Sequence, residues 1–143
     1  MAAWRTYTNS SSPQTVLIVA DDRETATLWE QLFCERGYRT VTEDAVRAVQ
    51  MAHILCPELV LVDVDLPHTD RLALCHALKS ASRTAVMVLT PPRPQEIFEL
   101  YAAGVDECLI RPINPALALV KTTAWIMRRQ LLNSSRVALE APL

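Results

Sequence analysis

No stretch of this 143-residue sequence approaches the roughly 20 consecutive apolar residues that a helix needs to cross a bilayer. The opening residues, MAAWRTYTNSSSPQT, hold no apolar block of the kind a secretory signal requires. Cysteine occurs four times, as Cys34, Cys56, Cys75 and Cys108, but never as a C-x-x-C pair. That argues against a zinc site and against a disulfide framework, and reduced thiols in a cytoplasmic protein are the expectation. Neither sign of charge dominates. The formal net charge of −2 gives no general attraction to nucleic acid or to an acidic membrane. Glycine occurs only twice, and Gly37 and Gly104 both fall where a helical pattern stops.

What is present is a chain that is 50% hydrophobic and 21% charged, the balance of a globular protein of about one domain. Residues 1–14 are rich in Ser, Thr and Asn and read as a flexible tail. From residue 15 short apolar runs alternate with helical periodicity. Strands are expected at TVLIVA (15–20), YRTVT (38–42), ELVLVD (58–63), TAVMVLT (84–90) and DECLI (106–110). Between them, Ala26, Leu28, Trp29, Leu32 and Phe33 mark a first helix, and Val46, Val49, Ala52 with Ile54 or Leu55 a second. Leu72, Leu74, Cys75 and Leu78 mark a third, and QEIFELYAAG (95–104) a fourth. A last helix starts at Asn114-Pro115, a polar cap followed by proline at the first helical position. Its stripe of Leu117, Val120, Ala124, Met127 and Leu131 persists beyond residue 128, as a connector or dimer helix would.

The central strands are apolar throughout, which suits a sheet covered on both faces. Helices between successive strands imply right-handed parallel crossovers. The expectation is a doubly wound α/β domain: a five-stranded parallel sheet in a (βα)5, three-layer α/β/α arrangement. It spans residues 15–128, with 129–143 as a helical extension.

In such a sheet, ligands bind beyond the carboxyl ends of the strands. Those ends carry Asp21-Asp22, Asp63 (followed by Asp65), Thr90 and Arg111. Clustered carboxylates raise one another's pKa unless a cation sits among them, and Mg²⁺ is the natural hard partner for oxygen donors and phosphate. Arginine's planar fork suits phosphate oxygens. Taken alone, the Asp63-x-Asp65 pair also allows the nucleophile and acid/base of a phosphate-cleaving enzyme. In phosphatases of the haloacid-dehalogenase type, however, such a pair follows the first strand, and here it follows the third.

The segments VLIVADD, CPELVLVDVDLP, VMVLT and AAGVDECLIRP, in this order and spacing, resemble the receiver domain of two-component response regulators over residues 15–128. The resemblance implies the CheY-like, flavodoxin-like fold and a signalling rather than an enzymatic role. It implies that Asp63 accepts a phosphoryl group from a histidine kinase or phosphotransfer protein. Asp21, Asp63 and the carbonyl of Asp65 would hold Mg²⁺, and Thr90 and Arg111 would contact the phosphoryl oxygens. Partners would meet the surface of the fourth helix, fifth strand and fifth helix, where Ile97, Tyr101 and Trp125 are the first candidates, and a homodimer or an output domain could use it. No direct nucleic-acid or membrane binding by this domain is expected.

The sequence departs from the family pattern at several points. In the ungapped register, Ala20 stands where an acidic residue is usual, leaving Asp21 as the ligating carboxylate and Asp22 as a helix cap. Arg111 replaces the usual lysine, Cys108 the aromatic switch residue, and Arg71 a common glycine. TPPRP (90–94) stiffens the loop after Thr90. These changes motivate an alternative: an atypical receiver acting as a phosphorylation-independent interaction module.

Overall fold

Five short apolar runs become the five strands of one sheet in this computed structural model, which describes residues 14–140, with side chains described through Asn133. In chain order the elements are β1 (Thr15–Ala20), α1 (Arg23–Glu35), β2 (Arg39–Glu43), α2 (Ala45–Leu55) and β3 (Leu59–Asp63). They continue as α3 (His68–Ala81), β4 (Ala85–Thr90), α4 (Pro94–Ala102), β5 (Glu107–Ile110) and α5 (Pro115–Glu140). All strand pairs are parallel and the order is β2-β1-β3-β4-β5. The expected doubly wound α/β architecture is the one observed. The tail read over residues 1–14 lies, apart from Gln14, outside the described residues.

Strand side chains alternate between the two faces, so each buried strand feeds two cores. Leu17, Val19, Val60, Val62, Val86 and Val88 pack beneath α2, α3 and α4 with Ala48, Ala52, Leu74, Cys75, Leu78 and Leu100. Val16, Ile18, Leu59, Leu61, Met87 and Leu89 pack beneath α1 and α5 with Trp29, Phe33, Ala118, Leu119 and Ile126. This double coverage is why the central strands show no polar alternation.

The helix ends follow local chemistry. Asp22 caps α1, its carboxylate accepting from the Thr25 amide at 2.7 Å and the Thr25 hydroxyl at 3.1 Å. Those bonds hold its pKa below the usual aspartate value. Asp44 caps α2 in the same way through the Arg47 amide. Gly37 follows α1 with φ +88°, where a side chain would be strained whatever the free space.

Two helical faces differ from expectation. In α2 the expected Val49, Ala52 and Leu55 do meet the core, where Ala48 and Ala52 are the fully buried residues, whereas Val46 is 91% exposed and Ile54 also faces out. Small residues win that face because α2 lies close against β1 and β2. In α5 the sheet-facing side chains are Ala118, Leu119, Thr122 and Ile126, and the stripe of Leu117, Val120, Met127 and Leu131 is exposed. This helix is apolar on two opposite sides, and periodicity alone could not say which one meets the sheet.

Candidate functional site

The register of β1 against β3 sets Ala20 directly beside Asp63. Asp21 and Asp65 each continue past these strand ends, and the Asp65 amide donates to Asp21 Oδ2. On the far side of β4, Arg111 follows β5, and its amide donates to the Thr90 carbonyl at 3.0 Å. The Arg111–Pro112 peptide bond is cis. These three chain ends enclose a cleft of about 320 Å³ lined by Asp21, Asp22, Thr25, Asp63, Asp65 and Arg111. Four carboxylates therefore share one opening with a single guanidinium.

Asp63 sits deepest, its side chain only 10% exposed, and both of its oxygens are engaged. Arg111 Nη2 donates to Oδ1 at 2.5 Å. The indole Nε1 of Trp29 donates to Oδ2 at 2.7 Å. A buried carboxylate needs such donors, since desolvation without compensation would favour its neutral form. Trp29 reaches it from the inner face of α1, 5% exposed and stacked on Phe33 with ring centroids 6.0 Å apart. Sequence periodicity places Trp29 in the core, which is correct but incomplete. Nothing in the periodicity signals that the polar tip of this core residue meets a partner on another element.

Of the five residues expected at the site, Asp21, Asp63, Asp65 and Arg111 meet in the cleft and Thr90 does not line it. Thr90 is fully buried, and its hydroxyl donates to the Pro91 carbonyl at 3.4 Å. Asp22 lies at the edge of the cleft as the α1 cap.

The surroundings of the loop after β3 are equally specific. Arg71 is 5% exposed, and its Nη2 donates to the Leu66 carbonyl at 2.8 Å. At Cys108, Tyr101 of α4 supplies the neighbouring aromatic group: its hydroxyl accepts from the Cys108 amide at 3.0 Å. His68, at the start of α3, bridges to α4 through Glu99 at 2.6 Å and Glu96 at 3.6 Å. The His68 hydrogen bond holds the Glu99 pKa below the usual glutamate value.

The donor set can be judged for a divalent cation. No group of three or more His, Cys, Asp or Glu side chains is arranged to hold a metal among the described residues. Mg²⁺ does not require one, because it binds through one or two carboxylates and keeps several waters. Asp21 and Asp63 provide two hard carboxylates in one cleft, and each oxygen of Asp63 retains a second lone pair beside its donor. The residues fit.

Fold and rim define a doubly wound α/β domain whose binding edge carries acids after β1 and β3 and a cation after β5. The chain belongs to the response regulator receiver domain family, whose model matches residues 16–122. Protein PetR of Rhodobacter capsulatus is 32% identical over 122 residues, covering 84% of this chain and 51% of PetR. The DNA-binding response regulator MtrA of Mycobacterium tuberculosis is 24% identical over 136 residues, covering 90% of this chain and 60% of MtrA. This chain thus spans between half and three-fifths of the length of these curated relatives. Among solved structures, the signal receiver domain of a signal transduction histidine kinase from Syntrophus aciditrophicus is 25% identical, with a TM-score of 0.70. That match covers 80% of this chain and 90% of the other. The family is one of signalling domains rather than classical enzymes.

Proposed function

We propose that this domain accepts a phosphoryl group on Asp63 from the phosphohistidine of a kinase or phosphotransfer protein. The observation that carries this reading is the convergence of Asp63, Asp21, Asp65 and Arg111 on one cleft at the carboxyl edge of the sheet. An Asp63 oxygen attacks phosphorus in line, the phosphorus–nitrogen bond of the donor breaks, and the donor imidazole leaves. Arg111 neutralises the phosphoryl oxygens from the side opposite Asp21. Asp21, Asp63 and the carbonyl of Asp65 would hold Mg²⁺, which supplies further charge neutralisation when bound. Thr90 turns its hydroxyl from the Pro91 carbonyl toward the phosphoryl group once that group is in place.

The signal is relayed through the surface of α4, β5 and α5. Exposed Phe98, Tyr101 and Ile110 support this assignment. Two first candidates change: Ile97 packs inward against the core, and Trp125 is half-buried with its Nε1 donating to Glu107 at 3.2 Å. The receiver of this surface is a partner protein or an output domain.

A second reading has its own observation. Both Asp63 oxygens are already hydrogen-bonded, by Trp29 and Arg111, as in a module that binds its partner without phosphorylation. One experiment separates the two. Incubation with Mg²⁺ and acetyl phosphate is expected to add one alkali-labile phosphoryl group, absent in Asp63→Asn. An unmodified protein whose partner affinity is the same in Asp63→Asn would establish the second reading instead.

A further inference from the structure

A second cavity, of about 320 Å³, lies at the amino edge of the sheet, where β3 and β4 begin. It is walled by His53, Cys56 and Pro57 at the end of α2, by Ser82 and Arg83 in the turn before β4, and by Arg129 of α5. Asp63 ends β3 at the opposite edge, which is where this fold places its ligands. The phosphoacceptor chemistry therefore does not account for the groups gathered here.

Those groups are donors in search of an acceptor. Two guanidiniums line the cavity, and among the described residues no carboxylate does. Arg129 Nε is buried without a hydrogen-bond partner among the described residues, and Glu58 Oε2 stands 4.0 Å away, beyond hydrogen-bonding reach. Ser82 Oγ is buried and unpartnered in the same way. Buried polar atoms are normally paired, so two orphans around one cavity call for a common explanation. The ends of α2 and α3 also border it, and bare carbonyls there would repel an anion. Two of them are occupied: Cys56 Sγ donates to the His53 carbonyl at 3.4 Å, and His53 Nδ1 donates to the Ala81 carbonyl at 3.3 Å.

Guanidiniums present planar forks that match phosphate oxygens, and a hydroxyl adds a third donor. Pro57 and Ala81 give the cavity an apolar wall, and its volume is that of a small-molecule site at the lower end of the range. We propose that this cavity binds a compact phosphomonoester. Arg129 and Ser82 hold the phosphate from inside, Arg83 closes on it from its exposed position, and the apolar body rests on Pro57 and Ala81. The inference is independent of the chemistry at Asp63.

Cys56 is an exposed thiol on the cavity wall, and Cys34, also exposed, lies outside it and serves as the internal standard. The full chain is labelled with iodoacetamide and peptide-mapped while phenyl phosphate is added at constant ionic strength without Mg²⁺. Labelling is expected to slow at Cys56 and stay constant at Cys34, with half-protection at roughly 0.1–1 mM, the range a ligand of this size reaches. Inorganic phosphate, which lacks the apolar body, is expected to protect about tenfold more weakly. Arg129→Gln and Arg83→Glu are each expected to weaken protection about tenfold or more, with an unchanged circular dichroism spectrum for Arg83→Glu because that side chain is exposed. Unchanged labelling of Cys56 up to about 10 mM phenyl phosphate overturns the proposal. So does equal slowing at Cys34, full protection in Arg83→Glu, or protection by benzoate as strong as that by phenyl phosphate.

Discussion

The indole of Trp29 donates to Oδ2 of Asp63 at 2.7 Å, joining the middle of α1 to the end of β3 across 34 residues of sequence. It does so beside Ala20, where the family commonly carries a carboxylate. The donor is neutral, and it occupies one of the two carboxylate oxygens that the proposed phosphoryl transfer would use. A hydrogen bond to a charged group contributes about 1.5–3 kcal/mol, and each 1.4 kcal/mol is a factor of about ten in rate. Trp29→Phe keeps the stack on Phe33 and removes only the donor. It is expected to accept phosphoryl groups from acetyl phosphate about tenfold faster, as followed by intact-protein mass spectrometry. A slower variant would mean that Trp29 positions Asp63 for attack and does not restrain it.

Arg111 engages the other oxygen of the same carboxylate. Its side chain is 41% exposed, so its contribution to stability is modest, about 1 kcal/mol. In the proposed function its larger effect falls on charge developing during transfer. Arg111→Ala is expected to lower the phosphorylation rate about a hundredfold with a small change in melting temperature. Arg111→Lys, which keeps the charge but loses the planar fork, is expected to recover most of that rate. Equal rates in all three proteins would detach Arg111 from the chemistry.

Strand positions were legible because a strand buried on both faces must be a continuous apolar run, and VLIVA, LVLV and VMVL are such runs. Asp21, Asp63 and Arg111 were legible because they terminate those runs, and the carboxyl edge of a parallel sheet is where side chains meet ligands. The indole bond to Asp63 was not, because no periodicity reports a polar tip crossing from one element to another. The facing of α5 was hidden for a different reason. Leu117 and Val120 are more apolar than Ala118 and Thr122, yet the small side chains are the ones that let the helix approach the sheet.

Arg71 makes a further stability prediction. It is 5% exposed with a single hydrogen bond, to the Leu66 carbonyl, and its Nε and Nη1 have no partner. Burying an incompletely paired guanidinium costs more than one hydrogen bond returns. Arg71→Met, of similar length and apolar, is expected to raise stability by about 1–3 kcal/mol, read as a higher urea midpoint with an unchanged slope. A lower midpoint would show that the clamp on Leu66 outweighs the desolvation of the charge.

The cysteines divide into two chemical classes. Cys75 and Cys108 are buried, and burial pushes their thiols up to about 12 and about 11. Their thiolates form only as pH rises through those values, so at pH 8 both remain protonated and shielded, and the thiolate is the reactive species. Cys34 and Cys56 are exposed. Iodoacetamide at pH 8 is expected to modify Cys34 and Cys56 in the native protein and all four cysteines in urea. Peptide mapping distinguishes the four sites. Rapid native labelling of Cys108 would show that β5 and α4 separate on the labelling timescale, breaking the Tyr101 hydrogen bond that joins them.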